Sequence, residues 1–187
     1  QGSNYKSGEA FALKYIGLSN YYLGEYVQVI LSWEQALEIF ESINDKSGIA
    51  NILNNLGAVY NNQGNDVKAL ELYSKSLIIA EEINDTSRKI SALNNIGLIY
   101  SKKPSSENIA LDNYQQALTL SELKKLPSGI GSTALNIGEL YYNQNETFIL
   151  EQYLMRLDED IAQEVTTVLM NEEREVLHNW ESQNIFV

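Results

Sequence analysis

The stretch Asn54-Asn55-Leu56-Gly57-Ala58-Val59-Tyr60 returns as Asn94-Asn95-Ile96-Gly97-Leu98-Ile99-Tyr100, and again as Leu135-Asn136-Ile137-Gly138-Glu139-Leu140-Tyr141. A weaker copy precedes them at Tyr15-Ile16-Gly17-Leu18. The glycines at 17, 57, 97 and 138 are therefore 40, 40 and 41 residues apart. A period of this length identifies a supersecondary unit that is stacked in series. Other landmarks keep the step: Gly24 and Gly64; Trp33, Tyr73 and Tyr114; Ala36, Ser76 and Ala117; Asn44-Asp45 and Asn84-Asp85. The additional residue of the third interval falls within Ser101 to Asn108, where Lys103-Pro104-Ser105-Ser106 makes a longer polar turn.

Within a unit the apolar residues follow helical spacing. Ile52, Leu53, Leu56, Val59 and Tyr60 form one stripe, and Val67, Leu70, Tyr73, Leu77 and Ala80 another. Gln63-Gly64-Asn65 separates the two, since glycine readily takes the left-handed conformation that ends a helix. Small residues at Gly57, Ala69 and Ser76 fall where two antiparallel helices approach closely. A single hairpin cannot bury its apolar face, so neighbouring hairpins are expected to stack and share a core.

This pattern resembles the tetratricopeptide repeat family, in a 40-residue form similar to arrays in bacterial signalling proteins. The second copy supplies Leu56, Gly57, Tyr60, Ala69, Tyr73 and Ser76, and the third supplies Ile96, Gly97, Tyr100, Ala110, Tyr114 and Ala117. The first copy is looser, with Asn20 in the aromatic slot and Val29 in a small slot. The fourth keeps Ile137, Gly138 and Tyr141 but carries Leu150, Leu154 and Leu157 in its second helix, as an end cap would. The resemblance implies an all-α fold: an α-α superhelix (solenoid) of about four helical hairpins plus a C-terminal capping helix. The expected boundaries are an N-terminal tail over 1–9, repeats over 10–49, 50–89, 90–130 and 131–158, and a capping helix and tail over 159–187. An amphipathic segment runs from about Glu146 to Trp180. Gln1-Gly2-Ser3 reads as an expression scar, and the apolar ending Ile185-Phe186-Val187 suits a cut at the start of another element, so the chain reads as a segment of a longer protein.

Composition narrows the function. With 13 basic and 25 acidic residues the formal charge is −12, which repels nucleic-acid phosphate and anionic membrane and favours a neutral or basic partner. No stretch is apolar enough to insert in a membrane. The absence of cysteine removes thiolate catalysis, thiolate metal sites and disulfides. The single histidine, His178, stands beside Trp180 with neither a ligand set nor a nucleophile marked around it. Glu81-Glu82 and Asp158-Glu159-Asp160 lack the ligand spacing of a calcium loop and read as solvated helix faces. The repeated glycines do not form a phosphate-cradling pattern. The expectation is a non-enzyme without metal or cofactor, its compartment open with the cytoplasm favoured.

In tetratricopeptide proteins the first helix of each hairpin lines a concave surface. The resemblance therefore implies groove positions for Asn51, Asn54, Asn55, Asn61, Ser91, Asn94, Asn95, Leu98 and Asn136, with Lys14 in the first repeat and apolar pockets from Phe11, Leu18 and Tyr22. A carboxamide offers both donors and an acceptor, which suits an extended main chain. The competing reading is that these asparagines bridge one hairpin to the next, since Asn is a poor helix former that needs compensation at mid-helix. A clamp for a C-terminal carboxylate is disfavoured: Lys14 and Asn55 match it, but Leu18, Ser91 and Asn95 stand where it needs Asn, Lys and Arg. The leading expectation is a scaffold that binds a protein or peptide. The alternatives are a sensor array of a larger signalling protein, and a self-assembly module in which Ile161, Val165, Leu169 and Val176 meet a second copy.

Overall fold

The computed structural model describes residues 2–171, and every regular element among them is an α-helix. These are α1 (Gly2–Tyr22), α2 (Tyr26–Ser42), α3 (Lys46–Asn62), α4 (Asp66–Glu82), α5 (Thr86–Ser101), α6 (Glu107–Leu123), α7 (Pro127–Asn143), α8 (Thr147–Leu154) and α9 (Glu159–Asn171). The expectations for His178, Trp180, Val176 and the apolar ending lie outside the described residues. The tail expected over 1–9 is corrected: α1 begins at Gly2, and its helix is anchored by the buried Ala10 and by Phe11, whose ring meets Phe40 edge-on at 5.3 Å.

The turns explain the period. Six helix ends carry a residue with positive φ, namely Gly24, Asn44, Gly64, Asn84, Lys125 and Asn145. At each, that residue's N–H reaches back three residues and the next N–H reaches back five, as in Asn44 N to Glu41 O at 3.0 Å and Asp45 N to Phe40 O at 2.9 Å. This is the Schellman closure, which satisfies the orphan carbonyls of a helix end. Asn tolerates the left-handed conformation better than other side-chain-bearing residues do, and Gly bears no Cβ to oppose it.

The residue that completes one helix end also starts the next helix. Asp45, Asn65 and Asp85 each accept an N–H three residues on, at 3.0, 3.1 and 3.0 Å. The left-handed positions 24, 44, 64 and 84 are 20 residues apart, so each sequence repeat is two equal helix-turn halves. Ser105 follows Asn84 after 21, and its turn closes differently, through Lys103 N to Tyr100 O and Ser106 N to Lys103 O. The inserted residue is thus absorbed outside the helices.

The chain divides into two compact units at Ile99 and Tyr100. In the first, α1 pairs with α2, α3 pairs with α4, and α3 also packs on α2. In α1 and in α3 the glycine lies beneath an aromatic of the following helix. A Cβ on Gly17 would stand 2.2 Å from Trp33 Nε1, and one on Gly57 would stand 2.7 Å from Tyr73 Cε1. Hairpins join one another by a similar fit, because Gly48 lies against the Phe40 ring. The next repeat has Ala80 and Arg88 at those positions, the large residue having changed sides. Ser76 Oγ donates to Ala50 O at 2.8 Å, so the small polar residue at the α3–α4 crossing is satisfied where it is buried.

In the second unit α7 is central and contacts α6, α8 and α9. Up to Asn171 the amphipathic segment that begins at Glu146 is two helices, α8 and α9. Asp158 ends the run: its carboxylate accepts from Asp160 N at 3.2 Å and its carbonyl from Ala162 N at 2.8 Å, which starts α9. Helix α9 covers Gly138, where an added Cβ would stand 3.0 Å from Val165 Cγ1 and 3.8 Å from Leu150. Leu154, standing in the aromatic slot, is buried together with Leu150, Val165 and Leu169.

Candidate functional site

The first helices of the first unit, α1, α3 and α5, are tied side by side by polar bonds. Asn95 Nδ2 donates to Asn54 Oδ1 at 3.1 Å, joining α5 to α3, and Asn62 Nδ2 donates to the Tyr21 hydroxyl at 2.7 Å, joining α3 to α1. Both bonds span 41 residues, one more than the repeat. The face they cross carries the expected residues. Asn51, Asn54, Asn55 and Asn61 on α3 are half-buried, as are Asn95 and Leu98 on α5, whereas Ser91 is exposed. Asn94 is only 9% exposed and has little surface to offer.

The structure therefore sorts the asparagines. Asn54 and Asn95 are engaged with each other as a bridge. Asn55 lies one helical turn from Asn51, its amide 3.5 Å from the Asn51 oxygen, a distance at the limit of hydrogen bonding. Ser91 Oγ turns back onto its own helix, donating to Ser87 O at 3.1 Å. Asn136 occupies the corresponding position of α7 in the second unit and is half-buried there.

On α1 the same repeat positions are aromatic and basic. Lys14 Nζ lies 6.0 Å from the Phe11 ring centre and 5.8 Å from that of Tyr15, within cation–π range. Burial pushes the Lys14 ammonium below its usual pKa, and the positive charge of Arg88 adds to this. Phe11, Tyr15 and Tyr22 remain 42%, 62% and 80% exposed. Tyr15 and Arg88 were not among the expected site residues. The repeat register does point to Tyr15, which aligns with Asn55 and Asn95, but the approach of Arg88 to Lys14 depends on how α5 lies against its neighbours.

Among the described residues no three His, Cys, Asp or Glu side chains are gathered as a metal would require, and no helix is long and apolar enough to cross a membrane. The fold and this face define an all-α helical-hairpin repeat. A family model described as tetratricopeptide repeat matches residues 48–123, and this stretch of the chain is tetratricopeptide repeat. No curated protein matches the chain. Tetratricopeptide repeats are non-catalytic scaffolds that mediate protein–protein interaction.

Proposed function

We propose that the chain is a non-enzymatic scaffold whose first-helix face in unit 1 holds an extended segment of a partner protein. The observation that carries this reading is the juxtaposition, on α1, α3 and α5, of half-buried carboxamides with exposed aromatic rings. Asn51 and Asn55 offer donors and acceptors to a main chain, and Phe11, Tyr15 and Tyr22 offer apolar contact beside them. Lys14 adds a partly desolvated side chain that lies against the Phe11 and Tyr15 rings. Asn54 and Asn95 hold the helices in register beneath the ligand.

The test is site-specific photo-crosslinking in the source cell. A photoreactive phenylalanine analogue at Tyr22 should capture a defined partner, and the yield should fall when Asn51 and Asn55 are both changed to Ala. The same analogue at Ser74, exposed on α4, is the control. Equal capture of the same protein from both positions, or a yield indifferent to the asparagine changes, would overturn the reading.

A further inference from the structure

A second apolar cleft lies away from the asparagine face, between the second helices α2 and α4 where both rest on α3. Its volume is about 530 Å³. The floor is formed by Leu53, Leu56 and Tyr60 of α3, with Leu37 on the α2 side and Leu72 and Ile78 on the α4 side. Ile78 is 64% exposed, an apolar side chain left open to water at the cleft edge. The floor runs from Ile49 to Tyr60, roughly 16 Å at the helical rise, which is three turns of a helix.

The two walls differ in charge. On the α4 wall Lys68 and Lys75 share Glu71, at 3.0 and 2.7 Å, so the cations are largely neutralised by their own helix. On α2, Glu34 and Glu41 line the cleft and Glu38 stands between them in sequence. All three are exposed, and among the described residues none has an ion-pair partner. Glutamates at i, i+4 and i+7 repel one another along a helix edge. The corresponding residues are Ser74, Ile78 and Glu81 on α4 and Gln115, Thr119 and Glu122 on α6, so the triple stripe is peculiar to α2.

The second unit holds the equivalent cleft between α6 and α8 over α7, and it serves as an internal comparison. Tyr141 replaces Tyr60, Ile137 replaces Leu56, Tyr153 replaces Leu72 and Arg156 replaces Lys75, but Gln115 stands where Glu34 does. The apolar floor is shared and the acidic wall is not.

We infer that the α2–α4 cleft of unit 1 docks an amphipathic helix of a partner protein, its apolar ridge on the half-buried Leu37 and Tyr60 and the exposed Ile78, above the buried Leu53 and Leu56, and a row of Lys or Arg along the edge that faces Glu34, Glu38 and Glu41. The occupant is a helix because the cleft is a groove about three turns long between two helices, and a third rod laid there packs as helices do. This surface is separate from the asparagine face and does not depend on it.

The test uses the full chain and a fluorescein-labelled synthetic peptide of about 18 residues, long enough to form helix on binding. The peptide carries leucines at i, i+3, i+7 and i+10 with lysines along one flank. A scrambled peptide of identical composition is the control for attraction to an acidic protein. Binding is followed by anisotropy and by amide chemical-shift mapping. The expected result is saturable binding of the ordered peptide, with shifts along α2, α3 and α4. The triple change Glu34→Gln, Glu38→Gln and Glu41→Gln should raise Kd about tenfold, at two- to threefold per exposed ion pair lost. Ile78→Ser, at an exposed position that leaves the fold intact by circular dichroism, should weaken binding at unchanged salt dependence. Equal affinity for the scrambled peptide, shifts centred on Asn51 and Asn55, no binding at millimolar peptide, or indifference to the triple change would each overturn the inference.

Discussion

Changing Asn54 and Asn95 to Ala, singly and together, separates a structural bridge from a binding surface. The bond between them is 3.1 Å long and half-buried, and such a bond contributes about 1 kcal/mol net. Each Asn also sits mid-helix, where Ala is preferred by ~0.6 kcal/mol. Either single change therefore loses the bond but regains propensity, a net destabilisation of only ~0.4 kcal/mol. The double change loses the bond once and regains propensity twice, and it should be close to neutral. The coupling energy of the cycle is then about 1 kcal/mol, although no variant on its own looks important. Asn55→Ala removes only a 3.5 Å contact, and it should stabilise the fold by ~0.6 kcal/mol. The assay is equilibrium urea unfolding at pH 7 followed by far-UV circular dichroism. A coupling below about 0.3 kcal/mol, within the additivity error of independent sites, would refute the bridge. A destabilisation of about 1 kcal/mol by Asn55→Ala would show that Asn55 has a structural role and would remove it from the proposed binding set.

The remaining predictions concern packing, turns and protons. Gly57→Ala forces the buried Tyr73 ring to move and should cost ~1–2 kcal/mol despite the better helix propensity, read as a lower urea midpoint. Gly64→Ala meets no neighbouring atom but holds φ at +76°, so its cost of ~1 kcal/mol is backbone strain alone; Gly64→Asn should be milder. The side-chain hydrogen bonds from Lys75 and Lys68 hold the Glu71 carboxyl down at about 2, against 4.5 in the unfolded chain. Its contribution is present above pH 4.5 and lost as the pH falls toward 2, so the stability difference from Glu71→Gln should vanish over that window. Burial pushes the Tyr114 hydroxyl up to about 12, and it pushes Tyr73 and Tyr153 up as well. Such groups stabilise the fold fully below pH 10 and progressively less as the pH rises through their folded values. Tyrosinate absorbance from these rings should therefore appear only with cooperative alkaline unfolding.

The helical period and the hairpin were legible because glycine, the aromatic slot and the small slot answer to one physical need, the close crossing of two helices. Gly57 under Tyr73 could be read from residue type alone. The 20-residue half-step was less visible, because the left-handed position accepts Gly24, Asn44 and Lys125 alike once the Schellman bonds are formed. α8 and α9 carry apolar residues at compatible spacing, and the capping bonds of Asp158 mark where one helix gives way to the next. The repeat register puts the candidate asparagines at matching positions of the first helices, but the partner of each side chain was not legible from it. The bond from Asn95 to Asn54 spans 41 residues in a 40-residue repeat, so it joins positions that do not align in sequence. It reflects the lateral offset of neighbouring helices.

That offset bears on why asparagine recurs here. A mid-helix Asn is disfavoured in isolation, so each one needs a compensating interaction. Asn54 and Asn95 compensate each other across the helix pair, and Asn94 is packed in the interior. Asn51 and Asn55 have no comparable return within the fold: each is half-buried, and the contact between them is long. They flank the bridge on the same helix, one residue and three residues from Asn54, with the exposed rings of α1 carried by the neighbouring helix. If helix propensity were all that acted on these two positions, Ala would serve better at both. On the proposed reading the compensation comes from a bound main chain. The same substitutions that raise stability should then lower partner capture, and this opposition of sign is what a purely structural asparagine would not produce.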